Sequence, residues 1–369
     1  MEKYQIIGRI GEGAHGTVFK AKHIESKEFV ALKNIHLRKL SGNIPDIPLR
    51  EIKALQLTSF CPYVVWLRDV FPWGLGFILV FEYMVTDLAE IIREANAPLD
   101  PALIKSYMQM LLRGADDLKP ANLLISAEGI LKIADFGLAR VWRSSEQRLY
   151  SHQVATRWYR APELLYGSRS YSHAVDLWAI GCIFGELICN SPIFAGENDI
   201  EQLWCVMCIL GTPSIEKWPE LETLPDYNKI SFNECEPKTF EEIIPDAPED
   251  AIDLISQFLI YQPNSRISAA KALQHRYFVT NPLPLHPSQM PKPQRSKTDC
   301  SSAAMPAHHS MEQHLETPLE QLLVSHETLS HGARLVAHKY SRTTRTDRAR
   351  NKTNSPCFVT VPMNTIRLN

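Results

Sequence analysis

Two carboxylates, an amide and an ammonium group lie close together near the middle of this chain. Gly114-Ala-Asp-Asp-Leu-Lys-Pro-Ala-Asn122 places Asp117, Lys119 and Asn122 in one short stretch, and Ile133-Ala-Asp-Phe-Gly137 adds Asp135. Hard oxygen ligands, a proton acceptor and a nearby cation are what phosphoryl transfer from a metal-bound nucleotide demands. Asp117 can accept a proton, Lys119 can neutralise a moving phosphate, and Asn122 with Asp135 can hold Mg2+ through oxygen. The same residue types also suit a polar turn between two buried segments, so the surrounding elements must decide.

Upstream, Tyr4-Gln-Ile-Ile-Gly-Arg-Ile10 alternates like a strand, and Val18-Phe-Lys-Ala-Lys22 reads as the strand returning from it. Between them Gly11, Gly13 and Gly16 leave backbone that can come close to phosphate oxygens. A glycine triplet of this spacing also serves dinucleotide folds, but there it opens a helix instead of joining two strands. Phe29-Val-Ala-Leu-Lys33 predicts a strand ending in a lysine. A charged helix follows, in which Glu51 can pair with Lys33 or stay solvated. Phe77-Ile-Leu-Val-Phe81 predicts a buried strand, and Glu82 to Asp87 a connector offering backbone groups to an adenine edge.

Asp100-Pro101 starts a helix well. Leu103, Ile104, Tyr107, Met108, Leu111 and Leu112 recur at a 3.6 period, which predicts one buried face. Ser126 to Ile133 reads as a hairpin with Glu128-Gly129 in its turn. Net charge is −2 and the apolar fraction 45%, so nothing suggests a nucleic-acid-binding surface. The eight cysteines show no paired zinc spacing, and Cys205-Val-Met-Cys208 fits a helix face. No signal peptide or membrane-length apolar run is seen, which predicts a soluble protein of a reducing compartment.

Taken in order, Gly11–Gly16, Val30-Ala-Leu-Lys33, Glu51, Asp117–Asn122, Asp135-Phe-Gly137 and Ala161-Pro-Glu163 resemble the eukaryotic protein kinases. Ala155-Thr-Arg-Trp-Tyr-Arg-Ala-Pro-Glu163 resembles the proline-directed group. Pro48-Leu-Arg-Glu51 sits where cyclin-dependent kinases carry their cyclin-reading helix. The runs from Asp199 to Leu203, Ile209 to Pro213 and Leu224 to Phe232 look most like the cell cycle-related branch of that family.

The resemblance implies an α+β, bilobal kinase fold: an N-lobe over residues 1–84, a helical C-lobe over 85–278, and a largely disordered tail over 279–369. ATP with Mg2+ is expected between the lobes. Asp117 and Lys119 would be catalytic, Asn122 and Asp135 would hold metal, and Lys33 with Glu51 would fix the phosphates. Ile10, Gly11, Gly13, Gly16, Val18, Ala31, Phe81, Glu82, Met84, Asp87 and Leu124 would complete the nucleotide pocket. Ser151 stands at the family's activating hydroxyl, with Arg50 and Arg140 as two of its cationic partners. Ala14 and His15 replace the Thr-Tyr pair whose phosphorylation restrains many relatives. Thr156 and Arg160 would position a substrate Ser or Thr before proline, and Arg266 would pair structurally with Glu163. A cyclin or cyclin-like activator is the implied partner, with neither membrane nor nucleic acid. Nucleus, cytoplasm and cilium are the implied locations.

One departure stands out. Where the family's helix runs on into a His-Arg-Asp triplet, this chain has only Arg113-Gly-Ala-Asp-Asp117, and Asp116 stands at the arginine's place. Roughly a dozen residues are missing, about 18 Å of helix rise. Each lost large core side chain is worth about 2–5 kcal/mol, against a typical stability margin of about 5–15 kcal/mol. Three readings follow: an active kinase, a nucleotide- or partner-binding scaffold, and a chain that does not fold stably. Beyond Asn281, proline, serine and histidine become frequent. Between Arg334 and Lys352 seven lysines and arginines stand against one aspartate, a pattern of either a nuclear-localisation or nucleic-acid patch or a solvated, disordered tail.

Overall fold

Where β-branched and aromatic residues alternate with polar ones, the first part of the chain folds as strands. In a computed structural model, the described residues are 1–13, 16–36, 52, 55–56, 58–74, 76–114, 122–134, 140–142, 157–293, 334–336 and 366–368. Strands β1 (Tyr4–Gly13), β2 (Gly16–His23), β3 (Phe29–His36), β4 (Leu67–Trp73) and β5 (Gly76–Glu82) form one antiparallel sheet in the order β1-β2-β3-β5-β4. Period-two alternation separates its faces. Phe19, Ala21, Val30, Leu32, Ile78 and Val80 cluster on one, while Ile35 and Leu79 meet Ile52 on the other.

The sequence places the glycine stretch between the first two strands, whereas the strands run into it. Gly11 pairs with Val18, Glu12 with Thr17 and Gly13 with Gly16. Gly16 adopts φ +151°, and a Cβ there would lie 1.7 Å from the Asn34 carbonyl oxygen. Only glycine permits that approach.

After β5 the chain passes through β6 (Thr86–Asp87) into helix α1 (Leu88–Glu94) and then α2 (Pro101–Gly114). Strands β7 (Leu123–Ile125) and β8 (Leu131–Ile133) form the expected hairpin, turned at Gly129, and β6 adds to its edge. Helices α3 (Ala174–Cys189), α4 (Asp199–Leu210) and α5 (Glu249–Phe258) build the rest of the lobe around Trp178, Phe184, Leu203 and Phe258. A sheet-built lobe therefore precedes a mostly helical one, as expected. Cys205 and Cys208 lie half-buried on α4, and among the described residues no cluster suited to a metal ion occurs. Among them no helix is long and apolar enough to cross a membrane.

Helix α2 departs from the expectation of a single buried face. Ala102, Lys105, Ser106 and Met110 are buried as well as the predicted six. Residues 279–293, which the sequence assigns to the tail, cover its second face. Lys105 Nζ donates to the Thr280 carbonyl at 2.9 Å and to its hydroxyl at 3.1 Å. The Leu285 amide donates to Ser106 Oγ at 2.7 Å, and Met290 is buried. A Cβ on Gly129, at φ +83°, would meet the Pro291 carbonyl oxygen at 2.6 Å. Farther along, the three-residue strands Arg334–Val336 and Ile366–Leu368 pair with Arg140–Trp142 and Ile230–Phe232.

The predicted Glu163–Arg266 pair is present. It is bidentate at 2.7 Å for both bonds, with the arginine side chain 0% and the glutamate 5% exposed. Arg266 also donates to the carbonyls of Ile260, Ala174 and Tyr261. Removing one partner of such a pair strands a buried charge, at about 3–5 kcal/mol.

Candidate active site

Registry across the small sheet gathers several of the residues expected to line the nucleotide pocket. Lys33 pairs with Val18 on one side and Leu79 on the other, and Ala31 with Lys20 and Phe81. Cross-strand partners share a face, so Val18, Ala31, Lys33 and Phe81 point the same way. Ile35 and Leu79 on that face pack against Ile52, the residue after Glu51. Lys33 is buried at 8% exposure, held by the alternation that also buries Leu32. Ile10 stays 40% exposed and Gly11 lies opposite Val18, leaving apolar surface at the end of the same sheet.

The connector after β5 runs beside the hairpin. The Val85 amide donates to the Ile125 carbonyl at 2.9 Å, and Asp87 lies opposite Leu124 across β6 and β7. Asp87 and Leu124 thus meet at one edge, next to the buried Met84 of the connector. The Asp87 carboxylate caps α1 by accepting from the Glu90 amide at 2.8 Å, while burial raises its pKa. Glu82 is the end of β5. Its carboxylate accepts from the Trp66 amide at 2.7 Å and from Lys132 at 2.7 and 2.8 Å.

Asn122 is buried, and its carbonyl accepts from the Ala134 amide at 2.8 Å. Ala134 directly precedes Asp135, so the two chain segments expected to hold metal run side by side. The strand leading there is tied down on its other edge. Ile133 donates to the Tyr63 carbonyl at 2.8 Å, and Val65 donates to the Ile133 carbonyl at 2.9 Å. Helix α2 ends against the same spot: a Cβ on Gly114 would lie 2.9 Å from Tyr63 and 3.2 Å from Ile133. The chemistry of the pair, an amide oxygen and a carboxylate, fits a hard divalent cation. Glu51, Asp117, Lys119, Asp135, Ser151 and Thr156 lie outside the described residues, as do Arg50, Ala14 and His15.

Arg160 is described and buried, with its guanidinium 2.8 Å from Asp199. Arg157 shares that carboxylate oxygen at 3.0 Å and also donates to the Glu197 carbonyl at 2.7 Å. Gln202 donates to the carbonyls of Trp158 and Phe194 and accepts from the Gly196 amide. Tyr159 donates to Glu186 at 2.7 Å. Burial pushes the Glu186 carboxyl up, and the Tyr159 hydrogen bond opposes that shift. The segment after Thr156 is therefore fastened onto the start of α4 by side chains that no local pattern marked. Asp199, Glu186 and Lys132 escaped the sequence reading because their partners lie 27 to 50 residues away, and Gln202 joins the nearby Phe194 carbonyl to that of Trp158, 44 residues off. A carboxylate in the first turn of a helix was the one available signal for Asp199.

A five-stranded antiparallel lobe joined to a mostly helical one is the architecture of a protein kinase. The protein kinase domain matches residues 4–278, and the chain belongs to that family. Its likeness narrows further. Cyclin-dependent kinase 20 of Rattus norvegicus is 58% identical over 339 residues, 89% of this chain and 98% of that protein. Cyclin-dependent kinase 20 of Homo sapiens is 57% identical over the same length. Cyclin-dependent kinase D-1 of Oryza sativa subsp. indica is 45% identical over 294 residues, 77% of this chain and 68% of that protein. The chain is a serine/threonine protein kinase of the cyclin-dependent kinase type. It acts on proteins with ATP and a divalent metal. This likeness favours the enzyme over the non-catalytic scaffold.

Proposed function

We propose that this kinase transfers the γ-phosphoryl of Mg-ATP to Ser or Thr followed by proline, on proteins of the cell cycle or signalling. Asp117 accepts the proton of the attacking hydroxyl and Lys119 offsets charge on the moving phosphoryl. Asn122 and Asp135 hold Mg2+, which when bound neutralises phosphate charge. Lys33, held by Glu51, fixes the α- and β-phosphates, and the backbone from Glu82 to Met84 meets the adenine edge. Thr156 and Arg160 position the residue after the acceptor, with Ser151 as the activating phosphosite. A cyclin or cyclin-like protein is the activator, with action in the nucleus, cytoplasm and cilium.

The 2.8 Å bond from the Ala134 amide to the Asn122 carbonyl supports this reading, because it joins Asn122 to the residue before Asp135. Peptide phosphorylation with matched Ser-Pro and Ser-Ala substrates tests it. Incorporation on Ser-Pro that is lost in Asp117→Asn supports the assignment. Equal rates on both peptides would overturn the proline preference, and full activity of Asp117→Asn would overturn the catalytic assignment.

A further inference from the structure

We propose that Lys132 is a positioning residue for the nucleotide, pinning the connector between the lobes to the strand that enters Asp135. This rests on the nucleotide-binding reading of the cleft. Lys132 lies in β8, three residues before Asp135, opposite Leu124. Its ammonium reaches both oxygens of Glu82, at 2.7 and 2.8 Å, across 50 residues of sequence. Both side chains are only 18% exposed, so water screens the pair weakly. The same Glu82 oxygen accepts from the Trp66 amide at 2.7 Å, and the Glu82 amide donates to the Trp66 carbonyl at 3.2 Å.

Glu82 is thus fixed from two directions, by the small sheet and by the hairpin. A nucleotide has two ends that must be met together. Its adenine faces the backbone beginning at Glu82, and its phosphates face the segments of Asn122 and Asp135. The spacing of those two protein surfaces must be set before binding, or binding must supply the ordering. The Lys132–Glu82 bond is a direct side-chain link between them. A charge-assisted, two-pronged bond suits that role better than an apolar contact, since it fixes direction as well as distance.

The test uses the full chain and Mg-ATP. Lys132→Met is expected to weaken Mg-ATP binding by about tenfold. That appears as a smaller thermal shift and a higher KM for ATP, with kcat within about twofold of wild type. Lys132→Arg should restore most of the affinity. The charge-swapped double variant Glu82→Lys, Lys132→Glu should bind Mg-ATP more tightly than Glu82→Lys alone, which loses the Trp66 bond equally, and it carries the test if Lys132→Met does not fold. A Lys132→Met chain that melts lower but binds Mg-ATP like wild type shows a purely structural pair and overturns the proposal. So does a swapped variant that binds no better than Glu82→Lys. A wild-type chain that binds no Mg-ATP overturns the nucleotide reading itself, and the role of Lys132 with it. Wild type that binds beside a Lys132→Met that binds equally well overturns the pin alone.

Discussion

Lys33 shows how a single side chain acquires its role. Strand alternation turns it to the same face as Val18, Ala31 and Phe81, and an ammonium buried there requires a compensating partner. Lys33→Met should abolish stabilisation by Mg-ATP while the chain still melts cooperatively, which differential scanning fluorimetry reads directly. An undiminished nucleotide shift would show that the phosphates sit elsewhere. Glu186 supplies a second residue-scale outcome. Burial raises its carboxyl above the ordinary value of 4.5, so the folded chain holds the proton more tightly than the unfolded one. That contribution is full below the ordinary value and is lost as pH rises through the raised folded value. Glu186→Gln keeps an oxygen for the Tyr159 hydroxyl and removes the titration. Its melting temperature should fall less than that of wild type as pH rises from about 4.5. Parallel pH–Tm curves for the two proteins would remove Glu186 from the account.

Among the elements, α2 is the one whose surroundings differ most from its pattern. Its apolar stripe accounts for the face against α3 and β8, but Lys105 and Ser106 are buried because residues 279–293 return across them. Gly129 is where that covering segment touches the hairpin. A side chain at position 129 faces both a positive φ and the Pro291 carbonyl 2.6 Å away. Gly129→Val should therefore destabilise the lobe by about 1–3 kcal/mol and release the segment, since left-handed backbone is costly for branched residues. Denaturant unfolding measures the first effect. Limited proteolysis near Met290 measures the second, and protection equal to wild type would mean the segment holds without the Gly129 contact.

At the scale of the whole molecule, the short passage from Gly114 to Asp117 is the main question. Gly114 seats the end of α2 directly on Tyr63 and Ile133, and the hairpin begins at Leu123. Asp117 must be placed by the few residues in between. Positioning supplies about 7–11 kcal/mol of a catalysed barrier, and a displacement of about 1 Å can cost ~10²-fold. By the resemblance, Asp116 stands where a phosphate on Ser151 is expected to dock, and a carboxylate there would repel it. Turnover should be at least ~10²-fold below that of a chain with the missing helix turns and His-Arg restored. Asp116→Arg alone should recover little, since it corrects charge and leaves the path short. One peptide assay of the three chains decides it: equal rates for the native and restored chains would mean that Asp117 is placed well despite the shorter path.

What the sequence determined by itself was whatever depends on neighbours within a few residues. The 3.6-residue stripe of α2 and the Glu128-Gly129 turn were legible because local sterics and periodicity write them into adjacent positions, and the order of the kinase motifs was legible through resemblance. The Glu163–Arg266 pair was legible only through resemblance. Only the tertiary structure decided that residues 279–293 bury the second face of α2. It also decided that Asp199 gathers Arg157 and Arg160, and that Lys132 reaches Glu82. Those bonds join charges and amides far apart in sequence. Their partners are chosen by how strands and helices stack, a long-range outcome of burying the shared core that no window of neighbouring residues contains.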